Sequence, residues 1–339
     1  MTADVLSWVL LLAIAAYACG GGVDYGAGFW DLLAGGTERG RRPRWLIDHA
    51  MAPVWEVNNV WLIFVLVLMW TGFPEFFQTV FTALWLPLAL AAVGMVLRGA
   101  GFALRKPTRK VAARRVFGAA FAVASLLTPF FLGTVIGSVA SGRVAPGTTA
   151  SADAWANTTS VIAGLLAVCA TAVLGAVFLT ADARRFGEAG LVRYFRLRAR
   201  IAVAALVTVG AVGLAVTADD ASYVHHGLTH GWGLLLVLLS VAAGAVTVLL
   251  VGGPALGWAR YSAVAAVALA VAAWGVAQRP YLVPTSLTVR EAAGASATLQ
   301  WMLIVSVVAL VLIGPAVTVL YRLDTRGALE PLTDEDVAR

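Results

Sequence analysis

Charged residues are scarce in this chain. Asp, Glu, Lys and Arg together make up 12% of its 339 residues, about half the share usual in soluble domains. Hydrophobic residues fill 60% of it, and the mean hydropathy is +0.87. Such a chain cannot cover a soluble surface, so its composition is that of a membrane protein. Cysteine is nearly missing too. Cys19 and Cys169 both sit in apolar segments, which marks them as buried small residues rather than a disulfide or a metal pair. Cys/His metal-ligand spacing is missing altogether. The formal charge of +6 would suit nucleic acid, but the basic residues lie between apolar runs, which excludes that partner. A cleaved leader is not expected either. Leu6 to Ala18 is apolar and Ala16-Tyr17-Ala18-Cys19 looks like a processing site, yet Met1 to Ser7 holds Asp4 and neither Lys nor Arg. The segment reads as a retained first transmembrane helix.

What the chain does have is apolar runs long enough to span about 30 Å of hydrocarbon. Nine are expected, at 5–33, 51–72, 75–97, 116–139, 157–180, 199–217, 231–251, 259–277 and 298–320. The bilayer core offers no water to backbone groups, so these runs must be helices. The expected fold is therefore an all-α integral membrane protein, a single polytopic domain over 1–339 with no loop long enough for a separate soluble unit. Of the 24 Lys and Arg, all but Arg143, Arg279 and Arg290 fall on one side of this arrangement. Basic residues favour the cytoplasm, which puts the N-terminus outside and the C-terminus inside. Gly210, Gly213, Gly244 and Gly257 are expected to let later helices approach closely. Pro87 in the third run and Pro315 in the ninth are expected to act as packing kinks.

Against this apolar background the polar residues stand out. Ala52-Pro53-Val54-Trp55-Glu56-Val57-Asn58-Asn59-Val60-Trp61-Leu62 opens the second helix with a carboxylate and two amides. Intramembrane ionisable groups are costly and are functional hypotheses by default. Glu56, Asn59 and Ile63 share one helical face, Asn58 and Trp61 another. Two readings fit Glu56. It is a proton-carrying carboxylate at a polar entry, or a carboxylate paired with a basic residue such as Arg44 that fixes the helix. Asp24 and Asp31 lie seven residues apart near the end of the first helix. Asp31 reads as an ion pair with an arginine of the following loop, whereas Asp24, between Gly22 and Gly26, is left open. Glu75 and Gln78 beside Pro74 read as helix-start chemistry. Arg98 and Arg105 read as snorkelling residues at a helix end. His49, His225, His226 and His230 fall at membrane edges. His226 and His230 share a helical face, but the cluster reads as hydrated, so no haem site of this chain's own is expected.

Three stretches in order resemble subunit II of the cytochrome bd quinol oxidases, a family that includes the cyanide-insensitive type. They are Gly22-Val23-Asp24-Tyr25-Gly26-Ala27-Gly28, then Pro53 to Leu62 continuing through Phe73-Pro74, then Pro280-Tyr281-Leu282-Val283-Pro284-Thr285-Ser286-Leu287-Thr288. The second fills every fixed place of the pattern Pro-x-Trp-acid-x-Asn-x-Val-Trp-Leu, with Glu56 where Asp is common. Two places depart from the family. Gly21 stands where a second acid is frequent, and Arg290-Glu291 replaces a common Trp-Asp.

The resemblance implies a heterodimeric enzyme of the bacterial cytoplasmic (inner) membrane that oxidises quinol and reduces dioxygen to water, electrogenically. It implies a haem-bearing subunit I holding the b-type and d-type haems and the quinol site, a possible small accessory subunit, and lipid around both. This chain would be the haem-free subunit II, with no catalytic, cofactor or metal residue of its own. By that likeness Glu56, with Asp24 and Asn59, are candidates for a proton path, and Trp61 for an oxygen path. A proton-coupled secondary transporter and a purely structural scaffold are the alternatives. The quinol type, the partner's haem set and the oligomeric state are not legible.

Overall fold

A computed structural model describes residues 1–36, 38–50, 55–105 and 111–325. The chain runs α1 (Thr2–Leu32), α2 (Arg41–Ala50), α3 (Trp55–Val67), a π-helical turn (Leu68–Gly72), α4 (Pro74–Ala83), α5 (Trp85–Arg105), α6 (Val111–Ala140), α7 (Ala152–Trp155), α8 (Thr158–Arg185), α9 (Ala189–Asp220), α10 (Ser222–Thr229), α11 (Gly231–Gly252), α12 (Leu256–Ala277), β1 (Tyr281–Val283), β2 (Leu287–Thr288) and α13 (Ser296–Thr325). Eight of these helices, α1, α5, α6, α8, α9, α11, α12 and α13, are long and apolar enough to cross a membrane. A ninth candidate is the bent unit of Asn58–Gly72 and Pro74–Ala83, bent by 115° at the break between them.

That bend corrects the expected third span. The run 75–97 is not one helix, because α4 ends at Ala83 and α5 begins at Trp85. Helix α4 buries Phe76, Thr79, Val80 and Ala83 and exposes Glu75 and Gln78. This i, i+3, i+4, i+7 stripe is that of a helix lying on a surface rather than crossing it. Pro74 occupies its first turn with Glu75 beside it, the helix-start chemistry expected. Pro87 is not a kink, since it is the third residue of α5, where backbone N–H groups have no intrahelical partner to lose. Pro315 lies inside α13 as expected, and Pro129, not singled out from sequence, lies inside α6. A two-stranded antiparallel hairpin, β1 with β2, is added to the all-α plan. It is built from the third motif, and Thr285 between its strands takes φ 63°, an uncommon choice for a β-branched residue.

Helix α1 is the axis of the fold. Its 31 residues run about 46 Å, and it packs on α3, α6, α8, α12 and α13. Two apolar cores lie along it. Near its C-terminal half Trp30, Leu174, Val177, Phe195 and Ala259 are buried together. Near its N-terminal half Leu6, Leu68, Phe73, Leu84, Val283 and Leu287 form the second, which ties the bend at Phe73 to the hairpin. Backbones meet where small residues face each other, but not at the positions expected. No atom outside the local helix lies within 4 Å of a Cβ built on Gly244 or Gly257, whereas one on Gly26 would lie 1.9 Å from the Thr171 carbonyl oxygen. One on Gly133 would lie 2.6 Å from the Ala163 carbonyl oxygen. Close crossings thus include α1 with α8 and α6 with α8, and, later in the chain, α10 with α12, where a Cβ on Gly227 would lie 2.5 Å from the Ala277 carbonyl oxygen.

Candidate functional site

The Gly22 to Gly28 motif distributes its residues to four neighbouring helices. Gly22 and Gly26 face α8, where Leu174 and the Thr171 carbonyl leave no room for a Cβ. Gly28 faces Ser125 of α6, 2.1 Å from where its Cβ would be. Asp24 faces α3, and Tyr25 faces Arg98 of α5. With α1 held this close, Asp24 is 4% exposed. The Asn58 side-chain amide donates to Asp24 Oδ2 at 2.5 Å. Gly20, one turn earlier, makes space for that amide, since a Cβ there would sit 2.5 Å from Asn58 Oδ1. The polar start of α3 is therefore fastened to α1 by a buried hydrogen bond.

Arg98 is the finding that sequence reasoning missed. Expected to snorkel, it is only 6% exposed. Its guanidinium lies 4.8 Å from the Tyr25 ring centroid and 5.2 Å from that of Phe121. Its Nε donates to Ser125 Oγ at 3.3 Å, which in turn donates to the Phe121 carbonyl. The Tyr25 hydroxyl meets that of Tyr17 at 3.0 Å. One buried cation and one buried carboxylate thus share a seam between α1, α3, α5 and α6, within electrostatic reach of each other. Burying either alone would cost several kcal/mol, on the order of the effective desolvation penalty for an ion. The signal was available: Arg98 follows a long apolar run, as unusual a place as that of Asp24. One atom of the cation, Nη2, is buried without a hydrogen-bond partner among the described residues.

The other expected site residues fall as follows. Glu56 belongs to the first turn of α3, but its side chain lies outside the described residues. Asn59 is half-buried and makes no hydrogen bond among the described residues. Trp61, one turn beyond Asn58, lines an apolar groove of about 220 Å³ between α3 and α13, with Phe64, Met302 and Ser306. The arrangement thus brings Asp24 and Asn58 together and sets Trp61 apart. Asp31 is paired as expected: Arg44 Nε donates to its Oδ1 at 2.8 Å, and Arg44 Nη2 donates to the Gly35 carbonyl at 2.7 Å. Glu291, one of the family departures, turns onto its own loop. It accepts from the Thr288 amide at 2.8 Å and from the Thr288 hydroxyl at 2.7 Å, which holds its carboxyl below the usual range.

Neither cysteine is in a disulfide, and Cys19 Sγ donates to the Val264 carbonyl at 3.6 Å. The four histidines do not offer a haem its ligands from within a spanning helix. His49 closes α2 with its Nδ1 at 2.7 Å from the Trp45 carbonyl. His225 and His226 are on α10, and His230 is the N-cap of α11. His226 and His230 stack at 4.2 Å between centroids, with no third His, Cys, Asp or Glu completing a metal set among the described residues.

These features define a class, a multi-pass helical membrane protein organised around a buried polar seam. Residues 2–324 match the family "Cytochrome bd terminal oxidase subunit II". The chain belongs to that family and is a protein of the bacterial inner membrane. It is 26% identical over 222 residues to the cytochrome bd-I ubiquinol oxidase subunit 2 of Escherichia coli K12, covering 61% of this chain and 55% of that one. It is 24% identical over 137 residues to the cytochrome bd ubiquinol oxidase subunit 2 of Bacillus subtilis 168, covering 40% of each. The chain thus spans about half the length, or less, of the curated relatives it matches. The bd oxidase structure from Geobacillus thermodenitrificans has the same fold, with a TM-score of 0.76 at 24% identity over 95% of this chain and 98% of that one.

Proposed function

We propose that this chain is the haem-free subunit II of a quinol:oxygen oxidoreductase. It assembles with a haem-bearing subunit I and supports proton delivery to that partner's oxygen-reducing centre. The family match over 2–324 is the observation that carries this reading. By the resemblance, the haems belong to the partner rather than to this chain. Quinol is oxidised and dioxygen reduced to water in subunit I, releasing protons on the outer side and consuming them from the cytoplasm. The charge asymmetry of the loops puts the Glu56 end of α3 on the cytoplasmic side, which is the side of uptake.

In this account the chain contributes position and charge rather than bond making. Glu56 takes up the proton at the mouth of α3. Asn58, two residues on, is bonded to Asp24 and fixes the rotation and depth of that mouth. Arg98 balances the buried carboxylate and keeps the seam close to neutral. Trp61, in its groove facing α13, borders an apolar approach suited to dioxygen.

Glu56→Gln tests the role directly. The expected result is a complex assembled in normal amount, with quinol-dependent oxygen uptake down at least about ten-fold, the lower range for loss of a proton-transferring group. Normal turnover in an assembled variant would leave the chain a scaffold. Transport activity from this polypeptide alone, without a haem-bearing partner, would replace the oxidase reading with a carrier.

A further inference from the structure

The first turns of α9 carry a basic row that the fold leaves unanswered. Arg193, Arg196, Arg198 and Arg200 precede the apolar run that begins at Ile201. Leu191, Phe195, Ala199 and Ala202 turn inward, which throws the arginines onto the outer faces. Arg198 is satisfied within the chain, stacked 3.2 Å from the Tyr194 ring centroid and donating to the Tyr194 carbonyl. Arg193, Arg196 and Arg200, at i, i+3 and i+7, share one face and make no hydrogen bond or ion pair among the described residues. The nearby carboxylates are already taken. Glu188 is bound by Arg42 at 2.6 Å, and Asp182 is bound by Arg260. The Nε of Arg196 is buried without a partner.

Apolar surface begins directly beside this row. Leu197 and Ile201 are each 57% exposed on α9, and Leu249 is 74% exposed on α11. Arg200 sits at the top of a shallow slot between the two helices, lined below it by Val203, Val248 and Val251. Three guanidinium groups spread over about 10 Å of helix repel one another unless an anion lies among them. A cationic row that passes at once into exposed aliphatic surface matches one kind of molecule, with its charge at one end and hydrocarbon at the other.

We propose that Arg193, Arg196 and Arg200 bind the phosphate of an anionic phospholipid whose acyl chains lie along α9 and α11. The charge complements the row, and the exposed Leu197, Ile201 and Leu249 continue it into the hydrocarbon. Free phosphate shares the headgroup chemistry but not the chains, so the two are separable. The inference stands on α9 and α11 alone and does not depend on the oxidase reading.

The test is native mass spectrometry of the intact complex, purified in mild detergent and titrated with phosphatidylglycerol, phosphatidylcholine or inorganic phosphate. Phosphatidylglycerol should be retained and phosphatidylcholine lost. Arg196→Gln with Arg200→Gln should weaken retention by about 25-fold, at roughly five-fold per basic residue. Arg198→Gln, whose parent is already satisfied, should change it little. Equal retention of both lipids, or unchanged retention in the double variant, would overturn the proposal. So would displacement of the lipid by millimolar phosphate, which would make this a free-anion site. Arg193→Gln alone, at an exposed position, repeats the test at the five-fold level should the double variant not assemble.

Discussion

An alanine at position 26 would put its Cβ 1.9 Å from the Thr171 carbonyl oxygen and 2.8 Å from the Gly175 amide nitrogen. Ordinary contact begins at 3.4 Å, so α1 and α8 would have to part by about 1.5 Å. Overpacking of this kind costs about 1–3 kcal/mol. Parting two long helices also weakens tens of atom contacts worth about 0.1–0.2 kcal/mol each, which adds roughly 1–2 kcal/mol. Against this stands the gain in helix propensity from Gly to Ala, about 1 kcal/mol. The clash wins, with a net loss of about 1–4 kcal/mol. Gly244 supplies the opposite case, since nothing lies within 4 Å of its Cβ position and Gly244→Ala should be neutral or slightly stabilising. The assay is thermal unfolding of the purified complex in detergent, followed by tryptophan fluorescence. Gly26→Ala should melt lower by at least about 2 °C, while Gly244→Ala holds or rises. A Gly26→Ala protein that melts with the parent would refute the close α1–α8 crossing and the placement of Asp24 that depends on it.

Removing the donor to Asp24 by Asn58→Ala should destabilise the complex by about 1.5–3 kcal/mol, the range for hydrogen bonds to charged groups. Loss measured by the same melting assay should largely vanish when Asp24→Ala, which removes the acceptor, is already present, so an additive double variant would contradict the bond. The hairpin loop should loosen in acid. The Glu291 carboxyl is held below its usual range by the Thr288 amide and hydroxyl, so its contribution is full above the unfolded value of about 4.3. That contribution fades as pH falls through the folded value. The protection of the Thr288 amide relative to its intrinsic exchange rate should fall between pH 6 and pH 3, and Glu291→Ala should show the low protection at both. Equal protection in parent and variant at pH 6 would disprove the role.

The fold was legible where periodicity and hydropathy act alone. Runs such as 231–251 and 259–277 became α11 (Gly231–Gly252) and α12 (Leu256–Ala277) with little change. It was not legible at 75–97, because α4 and the start of α5 are both apolar in sum. Only the separation of Phe76, Thr79, Val80 and Ala83 from Glu75 and Gln78 reveals the surface helix. Helix contacts were misjudged for a related reason. Glycine abundance in the later helices does not say which glycine meets a backbone, and Gly244 and Gly257 meet none. At the site, Asp24 and Asn58 were visible as costly polar residues, but their bond joins two helices 34 residues apart and no local pattern encodes it. Arg98 was hidden by its position near a helix end, where a long side chain ordinarily reaches water. Its burial follows from the rings of Tyr25 and Phe121 closing over it, which is a fact of packing.

The account rests most heavily on this chain acting as the haem-free half of an oxidase. Affinity purification of the tagged chain from its native membranes, followed by a reduced-minus-oxidised optical spectrum, tests that most directly. The expected result is a second, haem-bearing membrane subunit in equal amount, with haem absorbance and quinol-dependent oxygen uptake in the same fraction. A lone polypeptide from gently solubilised membranes, without haem absorbance or oxygen uptake, would contradict it.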